Sequence, residues 1–69
     1  MDLIETAENT ADVKVSIDEL LILNNSLNEV CHGLDQFEFE TRMGASHEDV
    51  KGLLKKVGSI IDELEKSGR

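Results

Sequence analysis

The chain has 69 residues, 39% of them hydrophobic, and its 15 acidic and 7 basic residues give a net charge of −8. This length suffices for one small domain, and the acidity disfavours a broad surface for nucleic acid or anionic membrane. No run of eight apolar residues is present, which excludes a membrane span and the core of a signal peptide. We expect a soluble, cytoplasmic protein, because the single Cys31 fits a reducing compartment. A core of this size rarely supplies more than about 3–5 kcal/mol, so we also expect a homodimer.

The N-terminal segment is acidic and lacks a sustained apolar period. Residues 1–35 hold eight acids and one base, whereas residues 36–69 hold seven acids and six bases. Residues 1–15 are therefore predicted to form a flexible acidic tail that is disordered or orders only against a partner. A short strand is the alternative, because Val13, Val15 and Ile17 alternate with polar residues.

The first predicted helix covers residues 16–32. Ser16 followed three residues later by Glu19 forms a capping box, and Gly33 suits a left-handed turn at the helix end. The apolar arc of this helix is broad, which indicates that more than one neighbour covers it. We expect a second chain to be one of these neighbours, with a candidate dimer interface at Leu20, Leu23, Asn24 and Leu27.

Two further helices are predicted, over residues 36–43 and 47–66. Cap-like pairs stand at Asp35 with Glu38 and at Ser46 with Asp49, and Gly44 separates the two helices as a stop signal. A strand is the alternative for residues 36–43, because Phe and polar residues alternate there. Residues 67–69 are expected to fray. The predicted fold class is therefore all-α, a small three-helix domain over residues 16–66.

The segment 39–57 resembles the helix-turn-helix pattern of bacterial DNA-binding proteins. The matching positions are Met43, Gly44, Ala45, Ser46, Val50 and Leu53. The resemblance implies a DNA-binding regulator, with candidate contacts at Arg42, Lys51, Lys55 and Lys56. The segment departs from the family at Glu40, where a small residue is usual, and at Glu48 and Asp49, which would face phosphates. DNA binding is therefore kept as the alternative to a helix corner that only packs the domain.

Two other resemblances cover shorter segments. Asn25-Ser26-Leu27 is similar to the Asp-Ser-Leu site of acyl carrier proteins, which implies a phosphopantetheine arm on Ser26, although asparagine replaces the aspartate here. Residues 21–33 also resemble small uncharacterised acidic helical proteins of bacteria, which implies no activity.

Residue types that support catalysis or metal binding are few. Cys31 and His32 are adjacent on a predicted helix, so their side chains point about 100° apart, and His47 lies fifteen residues further on. The carboxylates of residues 38, 40, 48 and 49 are typical of a solvated face. No glycine-rich phosphate loop is present. We therefore expect no enzymatic activity, no cofactor and no metal.

The uneven charge favours a role in protein binding. We expect a small acidic interaction or regulatory module, of the immunity, antitoxin or regulatory-subunit kind, that acts on a basic surface of a partner protein. The candidate partner-binding residues are Asp18, Glu19, Glu29 and Asp35.

Overall fold

The computed structural model describes residues 1–67 and contains both strands and helices. The elements in chain order are β1 (Asp2–Ala7), β2 (Thr10–Lys14), α1 (Ile17–Gly33), α2 (Phe39–Met43) and α3 (His47–Ser67). The all-α prediction is therefore wrong, because an antiparallel two-stranded sheet precedes the three helices. Ser67 is the last residue of α3, and the other two residues of the segment predicted to fray, 68 and 69, lie outside the described residues.

The residues expected to form a tail build a β-hairpin. Ala7 pairs with Thr10, so a two-residue loop joins the strands, and Asn9 in this loop has a φ of 66°. Asparagine tolerates the left-handed region because its short polar side chain can bond to the nearby backbone. The pairing register shifts between Leu3 and Glu5, which places a bulge in β1.

Helix α1 begins as predicted and ends differently. The Ser16 hydroxyl accepts a hydrogen bond from the Glu19 N–H at 3.2 Å, and the Ser16 N–H donates to Glu19 Oε1 at 3.0 Å, which confirms the capping box. At the other end Gly33 is still helical, and the cap residue is Leu34 in an extended conformation. The prediction of a left-handed turn at Gly33 is therefore wrong.

The corner between α2 and α3 follows local signals. Asp35 accepts a hydrogen bond from the Phe37 N–H at 3.1 Å in a turn, so α2 begins at Phe39, three residues later than predicted. Helix α2 ends at Met43 and is capped by Gly44, whose φ of 71° is left-handed. Ser46 Oγ accepts a hydrogen bond from the backbone N–H of residue 49 at 3.1 Å and so caps α3. The predicted helix over residues 36–43 is confirmed for Phe39–Met43, and the strand alternative is wrong.

The core is small and lies between α1 and α3. Leu20, Val57 and Ile61 form its centre, with Val15 and Leu27 packed against it. Phe39 is 1% exposed and meets the His47 ring edge-on at a centroid distance of 4.9 Å. The Cα atoms extend over 41 × 32 × 16 Å with a radius of gyration of 13.8 Å, against about 11 Å for a compact domain of this length. The molecule is therefore flat and more extended than a compact domain of its length.

Candidate interaction surface

The hairpin is uncovered along its whole length. All six residues of β1 and all five of β2 are exposed. Leu3 lies opposite Val13, and Thr6 lies opposite Ala11. Since side chains alternate between the two faces of a sheet and cross-strand partners share one, these four residues form one face of the hairpin. This face is largely apolar, and no other part of the described chain buries it.

The opposite face of the hairpin is acidic. Glu5 lies directly opposite Asp12, while Asp2 lies opposite Lys14. Two like charges in one cross-strand pair destabilise a hairpin, because their carboxylates lie close together without an intervening cation. The register therefore places an unfavourable pair in the middle of an exposed element.

Two contacts attach the hairpin to the helices. Val15, directly after β2, packs against the core between α1 and α3. The N-terminal ammonium of Met1 forms an ion pair with the Glu19 carboxylate in the first turn of α1. This ammonium and the hydrogen bonds to Ser16 favour the charged carboxylate, so the pKa of Glu19 is lowered from its ordinary value. The acidic hairpin and the start of α1 therefore lie at the same end of the molecule.

The predicted partner-binding residues lie along the molecule and do not converge. Asp18 and Glu19 are in the first turn of α1, whereas Glu29 is near its last turn and Asp35 lies beyond it. A helix of 17 residues is about 25 Å long, so the two pairs are at opposite ends. Only Asp18 and Glu19 adjoin the acidic hairpin.

The predicted dimer residues contribute mainly to packing within the chain. Leu20 is 5% exposed between Val57 and Ile61, and Leu27 packs against the same cluster. Asn24 is half-buried beside Gly58 of α3: a Cβ placed on that glycine would lie 3.9 Å from Asn24 Oδ1. Leu23 is the exposed member of the set, at 38%.

The predicted DNA contacts are all exposed. Arg42 Nε lies 3.3 Å from Glu38 Oε2 in an ion pair on the short helix α2. The other three, Lys51, Lys55 and Lys56, lie on α3, whose first turn carries Glu48 and Asp49. Carboxylates at the start of this helix reduce the positive potential that a phosphate backbone would meet.

The side chains of His32, His47 and Ser26 donate hydrogen bonds to backbone carbonyls within the fold, one of which is the carbonyl of Cys31. His47 Nε2 donates to the Cys31 carbonyl at 3.0 Å, which satisfies an acceptor in the last turn of α1 that lacks a helical partner. His32 Nδ1 donates to a carbonyl one turn earlier at 2.8 Å, and Ser26 Oγ donates to the Ile22 carbonyl at the same distance. Residues 1–67 bring together no group of three or more acidic, histidine or cysteine residues that could hold a metal ion.

The sequence reasoning missed the hairpin acids Glu5 and Asp12 as a pair. Asn9 is the signal that could have revealed the pair, because asparagine is a common turn residue. It lies between a short segment that contains Leu3 and Ile4 and a second segment in which Val13 is flanked by polar residues.

None of the helices between residues 1 and 67 is both long and apolar enough to cross a bilayer.

Comparison of the chain with protein-family models, with curated proteins and with solved structures found no match.

Proposed function

We propose that this chain is a non-enzymatic protein-protein interaction module whose hairpin end binds a basic surface of a partner protein. The observation that carries the proposal is the exposed hairpin, in which Glu5 lies opposite Asp12 and neither face is covered by any other residue between 1 and 67. A two-stranded hairpin alone in water is marginally stable at best. A partner that covers the apolar face would remove that face from water. Cations that the partner brings to the acidic face would offset the repulsion between Glu5 and Asp12.

The distribution of charge supports a basic partner. Asp2, Glu5 and Asp12 of the hairpin lie at the same end of the molecule as Asp18 and Glu19 in the first turn of α1. The cations at this end are Lys14, opposite Asp2, and the Met1 ammonium, paired with Glu19, so negative charge is in excess there. An excess of charge of one sign steers an oppositely charged partner and raises its association rate. We therefore place the partner-binding surface at the hairpin end and not at Glu29 and Asp35.

A second candidate function is DNA binding through the corner between α2 and α3. The observation in its favour is the left-handed Gly44 followed by the Ser46 cap, which matches the turn in the helix-turn-helix resemblance. Its test is a gel shift at low salt with wild type and with Lys51→Glu/Lys55→Glu. Retention that the variant abolishes would favour this function over the first, and no retention on any DNA would remove it.

We also propose that the chain acts as a homodimer in the cytoplasm. The homodimer is supported by the small core, since only five hydrophobic residues of the described chain are buried. The cytoplasm is supported by Cys31, the single cysteine, which is a free thiol of the kind that persists in a reducing compartment.

The test of the main proposal compares two charge reversals of equal size. Glu5→Lys/Asp12→Lys changes the hairpin, and Glu29→Lys/Glu40→Lys makes the same change in net charge at the far end of α1 and on α2. Wild type and both variants are used to capture proteins from extracts of the source cells, followed by native mass spectrometry. Circular dichroism checks that both variants keep the helical content of wild type.

We expect wild type and the α1/α2 variant to retain the same basic protein, and the hairpin variant to lose it by at least about tenfold, the effect of roughly 1.4 kcal/mol. Equal retention by both variants would contradict the hairpin as the binding surface. Capture of only acidic proteins would contradict the basic partner.

A further inference from the structure

Helix α3 carries an apolar row that the core does not use. Leu53 and Ile60 are each 50% exposed, and Leu64 is 41% exposed. Their spacing of seven and four residues places them on one face of the helix, alongside the buried Val57. The row is therefore continuous with the core and extends its apolar surface outward.

The surface area of the chain is larger than one folded monomer of its mass exposes. The accessible surface is 5728 Å², whereas a compact protein of 7.7 kDa exposes about 4,300 Å². The excess is roughly 1,400 Å², and a standard interface removes about 800 Å² from each partner. The excess belongs to the whole chain, hairpin included, and it is larger than the area that each subunit of a stable dimer buries.

A shallow groove lies beside the row and can receive a side chain. Its lining consists of Ser59, Ile60, Glu63, Leu64 and Ser67, and its volume is about 330 Å³. The two serines are small, so a second helix can approach the backbone closely at this place. Glu63 is the single charged residue of the lining.

The charges beside the row select one arrangement of two helices. Lys56 and Glu63 are exposed, lie seven residues apart on the same edge of the row, and form no ion pair in residues 1–67. In an antiparallel pair of α3 helices with the two-fold axis beside Ile60, Lys56 of each copy meets Glu63 of the other. A parallel pair would instead place this edge of the two helices on opposite sides of the seam, so Lys56 and Glu63 would have no opposite charge across it.

We infer that two copies of this chain associate through α3, with the helices antiparallel and Leu53, Ile60 and Leu64 in the shared seam. The inference rests on the proposed homodimer and adds its surface and its geometry. The seam differs from the α1 surface expected from the sequence, because Leu20 and Leu27 already pack within the chain.

The test measures the dissociation constant by sedimentation equilibrium for wild type and four variants. Ile60→Glu places two carboxylates beside the axis, and we expect at least about 30-fold weaker association, the size of a hot-spot effect. Ile22→Glu is the matched control, since Ile22 is 65% exposed on α1 outside the seam, and its dissociation constant should equal that of wild type. Circular dichroism verifies the helical content of each variant.

The charge variants test the antiparallel arrangement with little risk to the fold. Lys56→Glu alone should weaken association by about tenfold because two exposed pairs become repulsive, and Lys56→Glu/Glu63→Lys should restore it. A monomeric wild type up to millimolar concentration would overturn the homodimer and the seam together. A wild-type dimer that Ile60→Glu leaves intact would overturn the seam alone, and a failed charge swap in an Ile60-dependent dimer would overturn the antiparallel geometry.

Discussion

The cross-strand pair of Glu5 and Asp12 gives a direct test of the hairpin register. Replacing Asp12 by lysine converts a repulsive pair into an attractive one without changing a buried residue, because both positions are exposed. If the proposed function is correct, the same substitution has opposite effects on two quantities. It stabilises the hairpin of the isolated protein and weakens the binding of a basic partner.

The magnitude follows from the size of cross-strand interactions. Such pairs contribute about 0.2–1 kcal/mol each, so the substitution should stabilise the hairpin by an amount in this range. At 25 °C this corresponds to a roughly 1.4- to 5-fold change in the opening equilibrium. The change in the opening equilibrium should be confined to the hairpin. The hairpin meets the helices at Val15 and at the contact of Met1 with Glu19, so it can open while α1 and α3 stay packed.

The assay is amide hydrogen exchange resolved by residue. In Asp12→Lys, the hydrogen-bonded amides of β1 and β2 should exchange more slowly by the stated factor, while those of α1 and α3 should be unchanged. Glu8→Lys is the control, because it makes the same charge change in the loop, where no residue lies opposite. Raising the salt from 0.1 M to 1 M shortens the Debye length from about 10 Å to about 3 Å. This screening should remove most of the added amide protection in Asp12→Lys.

Two outcomes would refute this reasoning about the pair. An equal gain in Glu8→Lys would show that overall charge, and not the opposition of Glu5 and Asp12, limits the hairpin. Unchanged protection in Asp12→Lys would show that the two carboxylates do not repel each other in solution.

Three further predictions concern the helices and the cap. Phe39→Ala should lower the free energy of unfolding by about 3–5 kcal/mol and leave little folded protein, whereas Phe37→Ala, at a side chain 96% exposed, should leave the urea midpoint unchanged. Gly44→Ala should lower the free energy of unfolding in urea by about 1–2 kcal/mol, because the φ of Gly44 is 71° and a side chain is strained there although the space around it is open. Gly33→Ala, at the last helical residue of α1, should raise it by about 0.4–1 kcal/mol, and equal signs for the two substitutions would contradict the backbone argument. The lowered pKa of Glu19 adds stability that is present above the ordinary pKa of 4.5 and is lost as the pH falls through the folded value. Acetylation of the N-terminus should raise that pKa in an NMR titration, and an unchanged midpoint would refute the ion pair.

The helices could be predicted from the sequence because their signals are local. The capping box at Ser16, the left-handed Gly44 and the Ser46 cap each depend on residues within one turn, and the structure contains all three. The end of α1 was harder to predict, because a glycine is compatible with both a helical last residue and a left-handed cap. The extended backbone of Leu34 decides between these, and no local pattern indicates it.

The hairpin could not be predicted with the same rules because its first strand does not alternate. Leu3 and Ile4 are adjacent, and the register shift between Leu3 and Glu5 allows two residues of β1 to face one of β2. A bulge thus removes the period of two on which strand prediction depends. The loop was also inconspicuous, since Asn9 is followed by threonine and not by the glycine of the commonest hairpin turns.

The interaction surfaces were difficult to predict because an apolar face does not indicate which chain covers it. Leu20 and Leu53 both belong to regular apolar patterns in the sequence, yet Leu20 is buried within the chain and Leu53 is half exposed. The difference arises from the crossing of α1 and α3, which brings Val57 and Ile61 to α1 and turns the neighbouring row outward. Periodicity alone carries no information about this rotation.

The two proposed surfaces are compatible with each other in one assembly. The seam on α3 includes no residue of the hairpin, so the two proposed surfaces share no residue. Dimerisation also doubles the charge of −8 that each chain carries, which strengthens the field that attracts a cationic partner. A partner with two basic sites, or a partner that is itself dimeric, would then bind through both hairpins at a high effective concentration. Variants that abolish the dimer should therefore weaken binding of such a partner even though they change no hairpin residue.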